Sequence, residues 1–390
     1  MTKSRSPRAN VQVATRGPDA NAFLIGSVAI LCLLGLVMVY SATMVYSPNS
    51  KAGGPAWADA ATQALFLAIG VGAALLASKL PARFWNSGIV TVLIGASFVF
   101  QAYLALARIV GRLSSTPLPL VMNAKGGYRW LGYGPVTFQP SDVAKLALIL
   151  WVARTISENR DRMNEWEVLK RIVVVSGSLC VLVLLGNDLG TTLLLFGTTV
   201  VMLLLGGAPT KFMIVMCAVG ALVSVLALTF MGGFRMDRIK AFWDPSSNPD
   251  KAMQAEQSTI GFASGGLFGT GPGTSRQKWG YLPEADTDFI FSVVGEELGV
   301  VGTVVVLGSY ATFMAAAVTI AARSKDSFCR FVGFGVASWI GVQALINIGV
   351  ALDVLPTKGI TLPFVSRGGS SLVMCLVAVG VLMSVSREPA

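Results

Sequence analysis

The 390-residue chain contains no histidine and few charges: 13% of its residues are Asp, Glu, Lys or Arg, with 20 acids against 30 bases, while 54% are hydrophobic. Without imidazole there is no histidine-based triad and no histidine-containing zinc site, so acid–base chemistry falls to carboxylates, lysine or tyrosine. The five cysteines, Cys32, Cys180, Cys217, Cys329 and Cys375, show no CxxC spacing. Most fall inside apolar runs, where cysteine behaves as a small hydrophobe. So little charge excludes an ordinary soluble domain and indicates a multispan membrane protein. The net charge of +10 raises the question of nucleic acid, but the bases are spread over short connectors without a patch of interleaved aromatics. No nucleic-acid partner is expected.

What the sequence has in abundance is long apolar runs. Stretches able to cross a bilayer occupy 22–46, 60–78, 87–107, 138–153, 212–231, 289–322, 331–350 and 371–386. The run 172–207 is interrupted by the turn-forming set 186–190, which lets the chain reverse and makes two short spans. The expectation is an all-α polytopic membrane protein of about ten transmembrane helices. Residues 1–20 form a polar N-terminal arm, 21–386 a single membrane domain, and 387–390 a tail. The apolar run after the arm is too long for a signal-peptide core and reads as a retained first span. The arm, Lys79, Arg83, the 154–171 connector, Lys211, Arg323, Lys325, Arg330 and Arg387 fall on one side. The positive-inside bias makes that side, with both termini, cytoplasmic. Longer connectors at 109–137, 232–287 and 351–370 are extracytoplasmic, the largest lying between spans 7 and 8. They also carry cations, which an anionic ligand or plain solvation accounts for.

Several residues within this frame carry chemistry. Asp286, Thr287 and Asp288 stand at the outer mouth of a long span, either as a reactive acidic cluster or as caps for the following helix. Two turns deeper lie Glu296 and Glu297. Asp142 and Lys145, three apart on one helical face, form either a functional pair or a self-neutralising packing pair. Asp188, Gln343 and Asn347 extend the polar interior. The outer loop places Arg235, Arg238, Lys240, Arg276 and Lys278 around the glycine-rich run 264–273. Its amides suit a phosphate nest, yet no Walker lysine follows, and flexibility alone also explains the glycines. The loop 355–371 adds Lys358 and Arg367 beside Ser366 and Ser370. No internal repeat is detectable, which disfavours an inverted-repeat transporter.

From the first span to the last, the chain resembles the SEDS family (shape, elongation, division and sporulation). The resemblance is carried by Val39 to Ala42, Arg129 and Trp130, Phe138 to Ser141, Asp188 to Thr191, Arg238 to Pro245, Gln257 and Ser258, Ser264 to Gly273, Thr287 to Phe291, Glu296 to Gly299, and Gly368 to Ser371. The Leu355 to Pro363 loop is similar to that of the division branch. The sequence departs from the family pattern at Asp286 (usually histidine), Arg367 (usually tyrosine), Asn187 (usually proline) and Asp142 (usually glutamate). A single Arg129 also stands where two arginines are usual.

The resemblance implies a peptidoglycan glycosyltransferase of the bacterial inner membrane, working at the division septum. Its substrate would be lipid II, an undecaprenyl-pyrophosphate disaccharide pentapeptide, and its product a β-1,4 glycan strand. The family's catalytic aspartate falls on Asp288. Arg129, Gln257, Asp142, Lys145, Asp188, Arg238, Glu296, Glu297, Lys358, Ser366, Arg367 and Ser370 are the expected substrate-binding set. A divalent cation, Mg or Mn, is a further possibility. A class B penicillin-binding transpeptidase and small bitopic division proteins are the implied partners. Two rival readings stay open: a lipid II flippase and a non-enzymatic division scaffold.

Overall fold

The computed structural model describes residues 19–44, 57–113, 118–124, 127–133, 136–231, 236, 240–357 and 359–387. The chain is mostly helical. In order, it runs through α1 (Ala20–Thr43), α2 (Ala58–Lys79), the short α3 (Ala82–Trp85) and α4 (Gly88–Leu113), then a small sheet of β1 (Val121–Ala124), β2 (Gly127–Tyr133) and β3 (Val136–Phe138). There follow α5 (Pro140–Glu158), α6 (Trp166–Leu185), α7 (Leu189–Leu205), α8 (Thr210–Met231), α9 (Pro249–Gly265), α10 (Ile290–Arg323), α11 (Ser327–Ala351) and α12 (Gly369–Val385). Among the described residues, α1, α2, α4, α6, α8, α10 and α11 are long and apolar enough to cross a membrane, and α7 and α12 are shorter apolar helices.

Local chemistry sets the boundaries. Asp19 caps α1, Asp188 caps α7 and Asp326 caps α11 by accepting backbone N–H bonds in the first turn. Pro140 opens α5, where its missing N–H costs nothing. The reversal expected at 186–190 separates α6 from α7. Asn187 there has φ 72°, a left-handed conformation that asparagine tolerates and proline's ring forbids.

α11 is the most enclosed of the long helices and forms the bundle's axis, packed by α5, α7 and α10. α2 lies against α12 so closely that a Cβ on Gly380 would meet the Ala74 carbonyl oxygen at 2.3 Å, the small-residue packing typical of helices in lipid. By contrast α8 presents Ile214, Val215, Val219 and Leu222 outward.

One connector corrects the all-helical expectation, and another holds a further helix. The 109–137 connector begins as a continuation of α4 and then forms an antiparallel sheet of order β1-β2-β3, with a bulge between Met122 and Asn123. The 232–287 connector contains α9, which packs along α10.

Candidate active site

α10 is broken at Gly299, whose φ of 65° no helix allows. The glycine-rich run repairs the break. Thr270 and Gly271 donate their N–H groups to the Glu296 and Glu297 carbonyls, while Val300 and Val301 donate to the Gly266 and Leu267 carbonyls. Such repair is required of irregular backbone at membrane depth. The two side chains complete it. Glu296 accepts from the Arg276 N–H at 2.9 Å and from the Ser275 hydroxyl. Glu297 accepts from the Ser41 hydroxyl at 2.6 Å, the Gly273 N–H at 2.9 Å and the Lys278 ammonium at 3.1 Å. Lys278, read from sequence as a loop cation, is fully buried with Glu297. The amides that suit a phosphate nest are thus taken by the chain itself, Thr270 and Gly271 by carbonyls of α10 and Gly273 by the Glu297 carboxylate.

A second network occupies the end of the bundle where α5, α7, α10 and α12 begin. Gln139, ahead of α5, donates its N–H to Ser370 Oγ at 3.2 Å and its side-chain amide to Asp188 Oδ2 at 3.2 Å. Asp188 also accepts from the Thr191 hydroxyl at 2.8 Å, and Arg129 on β2 stands 4.0 Å away. Ser370, in the first turn of α12, donates to Asp142 at 2.8 Å, and Asp142 pairs with Lys145 at 2.8 Å, both nearly inaccessible. Lys145 also lies over the Trp339 ring, 5.1 Å from its centroid. The helix starts bring the positive ends of their dipoles together, an arrangement that favours an anion.

Asp288, two residues before α10, is half-buried at this end. Position 359 lies between it and Arg129: a Cβ there would sit 3.7 Å from Asp288 Oδ2 and 3.9 Å from Arg129 Nη1. The Arg129 Nε is buried without a hydrogen-bond partner. The cap position of α10 is Phe289, which makes no side-chain cap bond. The backbone of Asp288 is anchored on both sides. Its N–H donates to the Glu284 carbonyl, and its carbonyl accepts from Asn347 Nδ2 at 2.9 Å, which also reaches the Ile360 carbonyl at 2.7 Å.

The remaining expected residues fall into three groups. Ser366 donates to the Thr287 carbonyl at 2.5 Å, and Arg367 pairs with Asp286 at 2.7 Å and Asp59 at 3.2 Å. Burial pushes the Asp286 carboxyl above its ordinary range, against the pull of the Arg367 guanidinium. Gln257 lies half-buried on α9, beside Ser258, whose hydroxyl bonds the Ala351 carbonyl at 2.6 Å. Arg238 and Lys358 lie outside the described residues. Gln139, Asn347, Gly359 and Asp59 were not singled out as site residues by sequence. Gln139 carried a signal through its place in the Phe138 to Ser141 motif, Asn347 as a polar residue one helical turn from Gln343, and Gly359 through the Leu355 to Pro363 loop. Among the described residues no group of three or more metal-ligating side chains gathers.

A helical membrane bundle with its deep carboxylates bonded internally and a half-exposed aspartate at one end defines a class of multi-pass membrane protein. The chain belongs to the FTSW_RODA_SPOVE cell cycle protein family, whose model matches residues 21–390. It is 36% identical over 359 residues to a probable peptidoglycan glycosyltransferase FtsW of Geobacter sp. (strain M18), covering 92% of this chain and 94% of that one. It is also 36% identical to the protein of the same name from Halomonas elongata, over 99% and 95% of the two chains. Among solved structures it resembles a chain of a peptidoglycan synthase complex that coordinates polymerization and crosslinking, with TM-score 0.75 and 28% identity over 93% and 96% of the chains. The rod shape determining protein RodA of Thermus thermophilus matches with TM-score 0.67 and 28% identity, over 93% and 95%.

Proposed function

We propose that this protein is a peptidoglycan glycosyltransferase that polymerises lipid II into β-1,4 glycan strands for septal wall synthesis. The observation that carries the reading is the half-exposed Asp288 facing Arg129 across Gly359, at the end of the bundle where the helix starts converge. The topology that goes with it is ten spans, with both termini cytoplasmic and this end outside. α5, with its buried Asp142–Lys145 pair, serves as the fourth span.

The chemistry follows from the bonds exchanged. Starting from an α-linked pyrophosphate and ending β-linked needs one in-line displacement with inversion. The acceptor's 4-oxygen attacks C1, the C1–O bond to pyrophosphate breaks, and Asp288 takes the hydroxyl proton. Arg129 and the N-termini of α5, α7 and α12 are the groups suited to stabilise the leaving pyrophosphate. The described carboxylates form no cage for a divalent cation, and no step here runs through one. An apolar groove of about 440 Å³ between α1 and α2, lined by Leu36, Val37, Tyr40 and Ala64 among others, suits a polyprenyl chain. Each methylene that would otherwise meet water contributes about 0.8 kcal/mol when buried. A class B transpeptidase and small bitopic division proteins are the proposed partners.

A flippase needs polar groups along a path through the bilayer. Here the deeper charges, Asp142 with Lys145 and Glu297 with Lys278, are paired with each other, which favours chemistry at the surface. The test is polymerisation of purified lipid II by the protein with its cognate transpeptidase, comparing wild type with Asp288→Asn at matched folding. Strands from wild type alone are expected. A mutant as fast as wild type would exclude Asp288 as base, and protein-dependent passage of labelled lipid II without strands would replace the enzyme by a transporter.

A further inference from the structure

Arg367 and Asp286, two of the positions where the sequence departs from the family pattern, meet each other. The Arg367 Nε lies 2.7 Å from Asp286 Oδ2, and the Arg367 N–H donates to the Asp286 carbonyl at 2.9 Å. The other arm of the guanidinium reaches Asp59, in the first turn of α2, at 3.2 Å. One cation thus lies between two carboxylates, which leaves it poorly suited to a third anion. Its neighbours continue the same seam. The Ser366 hydroxyl donates to the Thr287 carbonyl, Gln63 Nε2 on α2 donates to the Ser366 carbonyl at 3.3 Å, and Gln63 Oε1 accepts from the Gly368 N–H at 3.4 Å. With Asn347 on the Asp288 carbonyl, three consecutive residues, 286 to 288, are each fixed by a bond from outside their own turn.

From this we infer that Arg367 is a positioning residue that clasps the first turn of α2 to the segment carrying Asp288, rather than a ligand of the pyrophosphate. It acts through Asp286 and Asp59, two carboxylates outside the expected substrate-binding set. Much of α2 otherwise faces lipid, with Leu65, Ile69, Leu75 and Leu76 exposed, so the clasp ties a peripheral helix to the reactive carboxylate. The inference rests on the glycosyltransferase reading, because the position it controls is that of the base.

Two variants and two readouts test it. In lipid II polymerisation with the cognate transpeptidase, Arg367→Gln and Asp59→Asn are each expected to lower kcat about ten- to a hundredfold with KM unchanged, because a misplaced base slows chemistry without weakening binding. The double variant should be no slower than the worse single one, since both cut one connection. Hydrogen exchange at the amides of 284–289 should speed up in both. An Arg367→Gln variant with raised KM beside a silent Asp59→Asn would make Arg367 a phosphate ligand and overturn the clasp, as would unchanged exchange in both variants. If wild type makes no glycan, the functional reading fails while exchange still decides whether the clasp exists. If Arg367→Gln does not fold, Asp59→Asn carries the decision alone.

Discussion

Two carboxylate clusters in this bundle are built to opposite rules. Glu296 and Glu297 lie 1% exposed at the α10 break, and their oxygens are taken by backbone amides, two serine hydroxyls and a lysine. Asp288 lies half-buried at the bundle's end, secured by its backbone atoms beside an arginine whose Nε has no partner. The first cluster uses its charge for folding deep in the bundle, whereas the second stands half-exposed at the bundle's end. Burial of an acid in a membrane protein is therefore a poor guide to catalysis. The better guide is whether the carboxylate reaches the surface of the bundle.

The most direct challenge to this contrast is to neutralise one acid in each cluster. Asp288→Asn should cost about 10²- to 10⁴-fold in polymerisation rate, the usual worth of a general base. Its thermal midpoint should stay near that of wild type. Glu297→Gln should do the reverse to stability. It leaves Lys278 as an uncompensated buried charge, at a cost of about 3–5 kcal/mol, read as loss of monodisperse protein on detergent extraction and a lowered Tm. Equal stability losses in the two variants would erase the distinction.

A smaller effect isolates the backbone repair from the charges. Gly269, at φ 81°, lies where a Cβ would come within 2.1 Å of the Glu297 carbonyl oxygen. Gly269→Ala must therefore push the loop off the α10 break, costing about 1–3 kcal/mol. Gly308, on the same helix, has nothing within 4 Å of its Cβ position. Gly308→Ala should be neutral or stabilising by up to about 1 kcal/mol. Comparing the two Tm values checks this.

Sequence alone revealed much of the frame and less of the wiring. Apolar length located the helices, and the turn at 186–190 was visible because Asn187 supplies the left-handed backbone and Asp188 the cap. The short strands of 121–138 gave no comparable signal, since runs of four, seven and three residues are too brief to establish an alternating pattern. The polar pairs were legible only where the partners sit within a helical turn. Asp142 and Lys145 were paired by spacing, whereas Lys278 looked like a surface cation because its partner, Glu297, lies across a folded-back loop. Asp286 and Arg367 are far apart along the chain, and nothing in a single sequence connects them. Asp288 itself was found through its motif. Its neighbours Gly359 and Asn347 come from a different loop and helix, so only the fold could place them beside it.

The smallest effect concerns the rim of the site and follows from the Asp286 carboxyl. Burial raises its pKa above the ordinary carboxylate value, and Arg367 only partly offsets that, while Glu284 and Asp59 add to the rise. The native state therefore holds this proton more tightly than the unfolded chain does. The stability that Asp286 contributes is fully present below the unfolded carboxylate pKa and is lost as pH rises through the raised native value. Once ionised, Asp286 costs stability even though it holds Arg367. Asp286→Asn should then have a Tm at neutral pH equal to or slightly above wild type, with the gap closing toward about pH 4 and below. The same variant should polymerise lipid II more slowly, because a neutral amide lacks the charge that orients Arg367. A variant both less stable and slower at neutral pH would mean that the pair stabilises the fold outright, and the rim of the site would then follow the same rule as the Glu296 and Glu297 cluster.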